Sequence, residues 1–150
     1  KRALAAAQTA DDKRETEWKL AYLYFRRGRK IDARIYALRS MEHFRKSDSG
    51  TEEDYLNYLS YRPARLMRFG WLYICMGETE KGLDMFRQMT ECRRCRQCRQ
   101  KGCYESYQHL GMYYEAIGDY GKARENYEKA CELNQHGIAT RIALKRIQKL

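Results

Sequence analysis

A pattern that begins at residue 104 constrains the fold more than any other feature of this 150-residue chain. Its first half places apolar and small side chains on one helical face, and its second half does so again after a turn at Gly118. The residues are Tyr107-x2-Leu110-Gly111-x2-Tyr114, then Ala123-x3-Tyr127 and Ala130. The small residues let a second helix approach and the aromatic rings fill the space between, so the pattern predicts two packed helices joined by a tight turn.

Two further copies of the pattern lie upstream, over residues 63–96 and 14–47. The residues that carry the second copy are Leu66, Phe69, Gly70, Tyr73, Gly77, Gly82, Phe86 and Met89. The residues that carry the first copy are Leu20, Ala21, Tyr24, Gly28, Ala33 and Ala37. The first copy is weaker, because Glu17 occupies a position where a large apolar residue is usual.

The three copies resemble the tetratricopeptide repeat, whose signature is W-x2-L-G-x2-Y…A-x3-F. The resemblance implies an all-α fold, a solenoid of about three helix-turn-helix repeats at about 14–47, 63–96 and 104–137. Such repeats stack side by side and present a concave surface to a partner. It therefore implies a protein–protein interaction scaffold.

The segments between and after the copies complete the expected organisation. Residues 47–50 predict a loop, and a short helix is expected before Pro63. Residues 138–150 are predicted to form a capping helix, with Ile138, Ile142 and Ile147 against the last repeat and a basic outer side. We interpret residues 1–150 as a single domain and as a fragment of a longer protein, because the chain begins without Met and its first residues resemble the end of a helix.

Composition and motifs exclude several functional classes. A hydrophobic content of 43% argues against disorder, and the longest charge-free stretch around Trp71 is far too short to span a membrane. There is no Gly-rich phosphate-binding motif, and the three histidines are isolated in the sequence, so we do not expect an enzyme. The net charge of +10 favours acidic partners, although basic side chains also commonly cover helix exteriors. Nucleic-acid binding is a weaker interpretation, because no recognised nucleic-acid motif is present.

The resemblance also implies that the first helix of each pair lines the concave groove. The side chains beside the packing positions are mostly aromatic, basic or methionine, which are types that make strong contacts at interfaces. The predicted groove residues are Trp18, Lys19, Tyr22, Arg26, Met67, Arg68, Trp71, His109 and Met112. They favour an apolar or aromatic partner segment flanked by acidic residues. The alternative is that Trp18 and Trp71 simply pack against neighbouring helices.

Many chaperone-binding members of the family hold a C-terminal carboxylate with a Lys/Asn clamp on these helices. In this chain Trp18 and Tyr22 occupy the positions of the first Lys and Asn, and Glu105 occupies a later Lys position. Binding of an extreme C-terminal acidic peptide in that manner is therefore not expected.

The cysteines form a separate cluster. Four of the six lie within twelve residues, as Cys92-x2-Cys95-x2-Cys98-x4-Cys103. In a reducing cytosol, clustered thiols indicate metal more than disulfides, and two such pairs can supply a tetrahedral Zn²⁺ site. The basic side chains between them would favour the thiolate form. We predict one structural zinc; an iron–sulfur cluster, free thiols and disulfides remain alternatives.

Three functional hypotheses follow from the sequence. The first is a cytoplasmic protein-interaction module that binds an acidic segment in its groove. The alternative is a metal-responsive or redox-responsive regulatory module controlled by the cysteine cluster. The third is a basic nucleic-acid-associated module, whose binding would fall steeply with salt.

Overall fold

The computed structural model describes residues 10–47, 63–91 and 103–150. These residues form seven helices, and none of them is in a strand. The helices are α1 (Ala10–Arg26), α2 (Lys30–Ser47), α3 (Pro63–Met76), α4 (Thr79–Thr90), α5 (Tyr104–Ala116), α6 (Tyr120–Leu133) and α7 (Ile138–Ile147). The predicted all-α, helical-repeat fold is therefore confirmed. The short helix expected between residue 51 and Pro63 lies outside the described residues.

Contacts divide the chain into two compact units, Lys1–Leu83 and Asp84–Leu150. The single-domain organisation stays a prediction. Within the described ranges, no helix is long and apolar enough to cross a membrane.

The turns that join α1 to α2, α3 to α4 and α5 to α6 share one geometry. Gly28, Gly77 and Gly118 have positive φ angles of 70°, 98° and 84°, a conformation that glycine adopts without steric cost. The residue after each glycine donates its backbone N–H to a tyrosine carbonyl five positions earlier. These bonds run from Arg29 to Tyr24, from Glu78 to Tyr73 and from Asp119 to Tyr114, each 2.9 Å. This is the Schellman arrangement, which satisfies carbonyls left free at a helix end, and all three turns lie where the sequence predicted them.

In the first unit, small residues bring α2 close to α1. Ala33 and Ala37 are both completely buried, so the two helices approach without an intervening side chain. Ala37 stands where the signature has a large aromatic residue, and Tyr36 supplies a ring instead. The Tyr36 ring stacks on that of Tyr24, with centroids 5.4 Å apart and planes 12° apart.

In the second unit, α7 packs on α6 through a face that the sequence did not predict. Ile147 is buried, as expected, and its neighbours in the packing are Ala143 and the repeat residues Ala123 and Tyr127. The expectation that Ile138 and Ile142 also lie against the repeat is wrong, because they are 67% and 58% exposed. At about 100° per residue, Ile147 lies roughly 140° around the helix from Ile142, so the three isoleucines cannot share one face.

Candidate functional site

Helices α1 and α3 bring several of the predicted groove residues together in the first unit. Trp18, Lys19 and Tyr22 come from α1, while Arg68 comes from α3. Trp18, Lys19 and Arg68 contact Glu15, a residue that the sequence interpretation missed. We call these five residues the α1–α3 face.

Glu15 is held by two cations of the α1–α3 face. Its Oε2 atom lies 2.8 Å from Nη2 of Arg68, and its Oε1 atom lies 3.1 Å from Nζ of Lys19. The Arg68 guanidinium carbon also lies 5.6 Å from the ring centroid of Trp18, within the range of a cation–π contact. Partial burial raises the pKa of Glu15, but Trp18, Lys19 and Arg68 together outweigh this and hold that pKa below its usual value. Glu15 is therefore a carboxylate at neutral pH.

One donor on the same face is not satisfied. Within the described residues, Nε of Arg68 is buried and has no hydrogen-bond acceptor, whereas Nε1 of Trp18 lies beside the Glu15 carboxylate without a well-aligned bond. A buried donor without an acceptor is unfavourable in a folded protein, and such groups are rare without a ligand or water to satisfy them. The α1–α3 face therefore holds one carboxylate, and Arg68 has a donor left for another acceptor.

Aromatic packing fixes the floor beneath this face. Trp71 is only 1% exposed, and its ring contacts Tyr22 at 4.6 Å and Phe25 at 6.0 Å between centroids, both edge to face. Met67 is 3% exposed. Met67 and Trp71 are thus core residues that support the face. For Trp71, this burial agrees with the alternative that its ring packs against neighbouring helices. A direct contact of either with a partner stays a prediction.

Arg26 extends the predicted site toward the end of α1. Its side chain is exposed, and its guanidinium carbon lies 5.7 Å from the ring centroid of Tyr22. Positive charge is stabilised in the last turn of a helix, where the free carbonyls lie. The exposed guanidinium of Arg26 can therefore contact a ligand while Glu15 remains paired with Lys19 and Arg68.

The remaining predicted groove residues, His109 and Met112, lie in the second unit. The His109 ring packs beside Phe86, with centroids 5.6 Å apart, and burial lowers the pKa of His109 to about 4. Met112 packs against the buried cluster that contains Tyr127. Both side chains pack within this unit. Their contact with a ligand stays a prediction.

Glu115 joins the second unit's last helix to its repeat. The Tyr127 hydroxyl donates to Oε2 of Glu115 at 2.7 Å. Arg146 on α7 donates through Nε to Oε1 and through Nη2 to Oε2, both at 2.8 Å, which makes a two-point ion pair. The Arg146 side chain is 48% exposed, yet its guanidinium reaches the repeat through this ion pair.

Comparison with known families identifies the α5–α6 pair. Residues 104–136 match the sequence model of the tetratricopeptide repeat. This segment is similar to a tetratricopeptide repeat. No curated protein matches the chain. Tetratricopeptide repeats form interaction scaffolds, so the match indicates a role in protein–protein interaction.

The tetratricopeptide signature has a clear steric basis in this repeat. A Cβ atom added to Gly111 would lie 2.6 Å from Cδ1 of Tyr127, closer than real side chains approach. Gly82 in the first unit has the same restriction, since an added Cβ would lie 2.6 Å from Cγ1 of Ile74 and would collide with the Gly70 carbonyl. Glycine at these positions allows the two helices of a pair to touch.

Glu17 departs from the tetratricopeptide signature, and the structure places it in the core. It is 5% exposed, and its Oε2 atom lies 3.3 Å from Nε2 of His43 on α2. Burial raises the pKa of Glu17, while the nearby His43 acts in the opposite direction. The contact between these two residues takes the place of the large apolar side chain of the signature.

The predicted zinc ligands fall mostly outside the described residues. Cys92, Cys95 and Cys98 lie there, whereas Cys103 is 3% exposed and caps the start of α5. Its backbone N–H donates to the Thr90 carbonyl at 3.4 Å, which joins the end of α4 to the start of α5. Among the described residues, no group of three or more His, Cys, Asp or Glu side chains could hold a metal. The zinc site stays a prediction.

The two cysteines outside the cluster have the environment expected of structural thiols. Cys75 is 5% exposed, and burial raises the pKa of its thiol to about 12. Cys131 is half-buried, and burial raises its thiol pKa as well. Neither thiol is poised to react at neutral pH, because the thiolate is the reactive form.

Proposed function

We propose that this chain is a non-enzymatic, cytoplasmic interaction module whose α1–α3 face binds a short segment of a partner protein. The segment carries an apolar or aromatic residue next to acidic ones. The observation that carries the proposal is the state of Arg68, whose Nη2 pairs with Glu15 while its buried Nε has no acceptor among the described residues. A guanidinium presents five donors in a planar fork, so one carboxylate does not saturate it.

The neighbouring side chains support the same ligand chemistry. Trp18 and Tyr22 are only partly buried, so each offers some aromatic surface beside the charge of Arg68. Lys19 is 59% exposed and can turn toward a second carboxylate. The net charge of +10 attracts acidic segments from a distance, while the α1–α3 face selects among them.

Binding variants test the proposal. A displayed library of random linear segments of about 12 residues, roughly 40 Å when extended, supplies a binder, which is then made as an amidated peptide and titrated by calorimetry. Arg68→Ala and Trp18→Ala are each expected to weaken binding at least about tenfold, as the loss of an anchor does. Arg141→Ala removes the same charge from an exposed position of α7 and is expected to leave the affinity nearly unchanged. Equal losses in Arg68→Ala and Arg141→Ala would show that net charge alone attracts the peptide.

Glu15 supplies a second arm of the same test. Because its carboxylate occupies Arg68 and Lys19, it competes with a carboxylate from the partner. Glu15→Gln is expected to tighten binding of the selected peptide several-fold. Glu132→Gln changes the net charge equally at an exposed site of α6 and is the matched control. No gain in Glu15→Gln over Glu132→Gln would contradict the competition.

A metal-responsive or redox-responsive module is the second candidate function. The clustering of four cysteines within twelve residues favours it, and one of them, Cys103, lies at the N-terminus of α5. We propose one structural zinc on Cys92, Cys95, Cys98 and Cys103. Protein purified reduced and without chelator is expected to hold about one zinc per chain, measured by mass spectrometry, since a tetrahedral site needs all four thiolates. Cys98→Ser should lose the metal and Cys131→Ser should keep it; a metal-free parent would contradict the proposal.

A further inference from the structure

Helix α2 has an apolar strip on the face that points away from α1. Ile31, Ile35 and Leu38 are 78%, 43% and 49% exposed. Their spacing of i, i+4 and i+7 aligns them on one side of the helix over about 10 Å. The opposite side of α2 is the packed one, and its buried residues are Ala33, Tyr36, Ala37, Ser40 and Met41. Helix α2 is thus apolar on two opposite sides, although packing within the first unit requires only one apolar side.

Two arginines border this strip. At about 100° per residue, Arg34 lies on one side of it and Arg39 on the other. The Arg39 guanidinium carbon lies 5.7 Å from the Tyr36 ring centroid, and both arginine side chains are exposed. Asp32 lies on the same edge as Arg39, but its carboxylate is paired with Arg29, whose Nη2 atom lies 2.8 Å from Oδ2. The surface is therefore a short apolar line with an arginine on each edge.

We propose that the strip formed by Ile31, Ile35 and Leu38 docks an amphipathic helix from another protein. The incoming helix presents apolar residues at i, i+3 or i+4, and i+7, with Asp or Glu on both sides of them. Two turns of a helix match the length of the strip, and its carboxylates reach Arg34 and Arg39. This surface lies on α2 and is separate from the α1–α3 face, so the proposal does not depend on that site.

A second copy of this chain fits the strip poorly. A two-fold symmetric dimer places the same patch on both sides of its interface, which would bring Arg34 and Arg39 against the same residues of the other copy. Like charges across an interface oppose association, and each chain carries a net charge of +10. Charge complementarity therefore favours an acidic partner helix.

A designed peptide tests the proposal on the full chain. The probe is a capped helical peptide of about 14 residues, roughly four turns, with Leu at i, i+3 and i+7 and Glu on both sides of them. A second peptide carries Lys in place of each Glu. The Glu peptide is expected to shift the methyl resonances of Ile31, Ile35 and Leu38 and to bind at least about tenfold more tightly than the Lys peptide.

Substitutions on two helices complete the test. Ile35→Asp is expected to weaken the Glu peptide at least about tenfold, whereas Ile142→Asp, at an exposed position of α7, leaves its affinity unchanged. Arg34→Glu keeps the apolar strip intact and is expected to favour the Lys peptide. Equal effects of Ile35→Asp and Ile142→Asp, or no binding of the Glu peptide below about 1 mM, would overturn the proposal. So would a parent chain that dimerises in sedimentation while Ile35→Asp remains monomeric, because the strip would then belong to a second copy.

Discussion

At the scale of single residues, carboxylates in half-buried or buried positions connect the helices that the structure describes. Glu15 links α1 to Arg68 on α3, and Glu17 links α1 to His43 on α2. Glu115 links α5 to Arg146 on α7. The three carboxylates differ in how well their oxygens are hydrogen-bonded. Glu115 accepts from Arg146 on both oxygens and from the Tyr127 hydroxyl on Oε2, whereas Oε2 of Glu17 has no well-aligned hydrogen bond within the described residues.

Replacing Glu17 by leucine is expected to stabilise the fold. An apolar side chain matches the signature position, and removing a poorly satisfied buried carboxylate relieves its desolvation, so we expect a gain of about 1 kcal/mol or more. Burial raises the pKa of Glu17 in the folded state, so the cost of its charge grows as pH rises through that pKa. The advantage of Glu17→Leu should accordingly be largest at neutral pH and shrink as pH falls. Urea unfolding measures both; a less stable Glu17→Leu at pH 7 would contradict the expectation.

His109 predicts a pH dependence of the opposite sign. Its folded-state pKa of about 4 lies below the ordinary histidine value of about 6.5. Between these values the unfolded chain binds a proton that the folded chain does not, so the His109 contribution is fully present above about pH 6.5 and is lost as pH falls toward 4. The parent is expected to lose more stability than His109→Gln between pH 7 and about 5. Equal losses in the two proteins would indicate that His109 is not desolvated.

At the scale of elements, α7 is attached to its neighbours by one ion pair and by a small apolar face. Arg146 reaches Glu115, whose side chain is 13% exposed, while Ala143 and Ile147 pack near Tyr127. Partial burial makes this pair stronger than a surface salt bridge, because solvent screens it less. We infer that α7 protects the apolar face of the tetratricopeptide repeat.

Loss of the ion pair should therefore loosen α7. Arg146→Ala leaves the Glu115 carboxylate hydrogen-bonded to the Tyr127 hydroxyl and is expected to cost about 1–3 kcal/mol, typical of a hydrogen-bonded charged group. Lys145→Ala, on the exposed side of the same helix, controls for the loss of charge and of helix contacts. Thermal unfolding should show a clear decrease in Tm for Arg146→Ala alone. A similar Tm for both variants would mean that apolar packing suffices to hold α7.

The elements were largely predictable from the sequence, because glycine at Gly28, Gly77 and Gly118 fixes the turns and the spacing between them fixes the helices. Glu15 was less visible. Its i, i+4 spacing to Lys19 could have indicated an ion pair, but the contact with Arg68 crosses between helices and needs a tertiary structure. The sequence prediction assigned the wrong buried face to α7. It grouped Ile142 and Ile147 because both are apolar and did not consider the angle between them around the helix. Sequence spacing predicts contacts within one helix or turn, whereas contacts between residues distant in sequence require the tertiary structure.

At the scale of the whole molecule, the charge of +10 acts differently from the individual contacts. Charges are screened over about 8 Å at physiological salt, so the net charge accelerates encounters with acidic partners but does not choose among them. Nucleic-acid binding driven by phosphates would fall steeply as salt increases. Peptide binding through Arg68 and Trp18 should retain most of its sequence preference under the same conditions, because aromatic packing and donor geometry are screened much less.

The most direct test of the account observes the Arg68 and Trp18 donors of the α1–α3 face. The ¹H–¹⁵N spectrum of the full chain contains separate signals from Nε–H of Arg68 and from the indole N–H groups of Trp18 and Trp71. On titration with the selected acidic peptide, the account predicts a large downfield shift of the Arg68 signal, because its Nε–H acquires an acceptor, and a shift of the Trp18 signal, because the peptide lies beside that ring. The Trp71 signal should move little, since that ring lies in the core. Saturation with peptide that leaves Arg68 and Trp18 unshifted would contradict binding at the α1–α3 face.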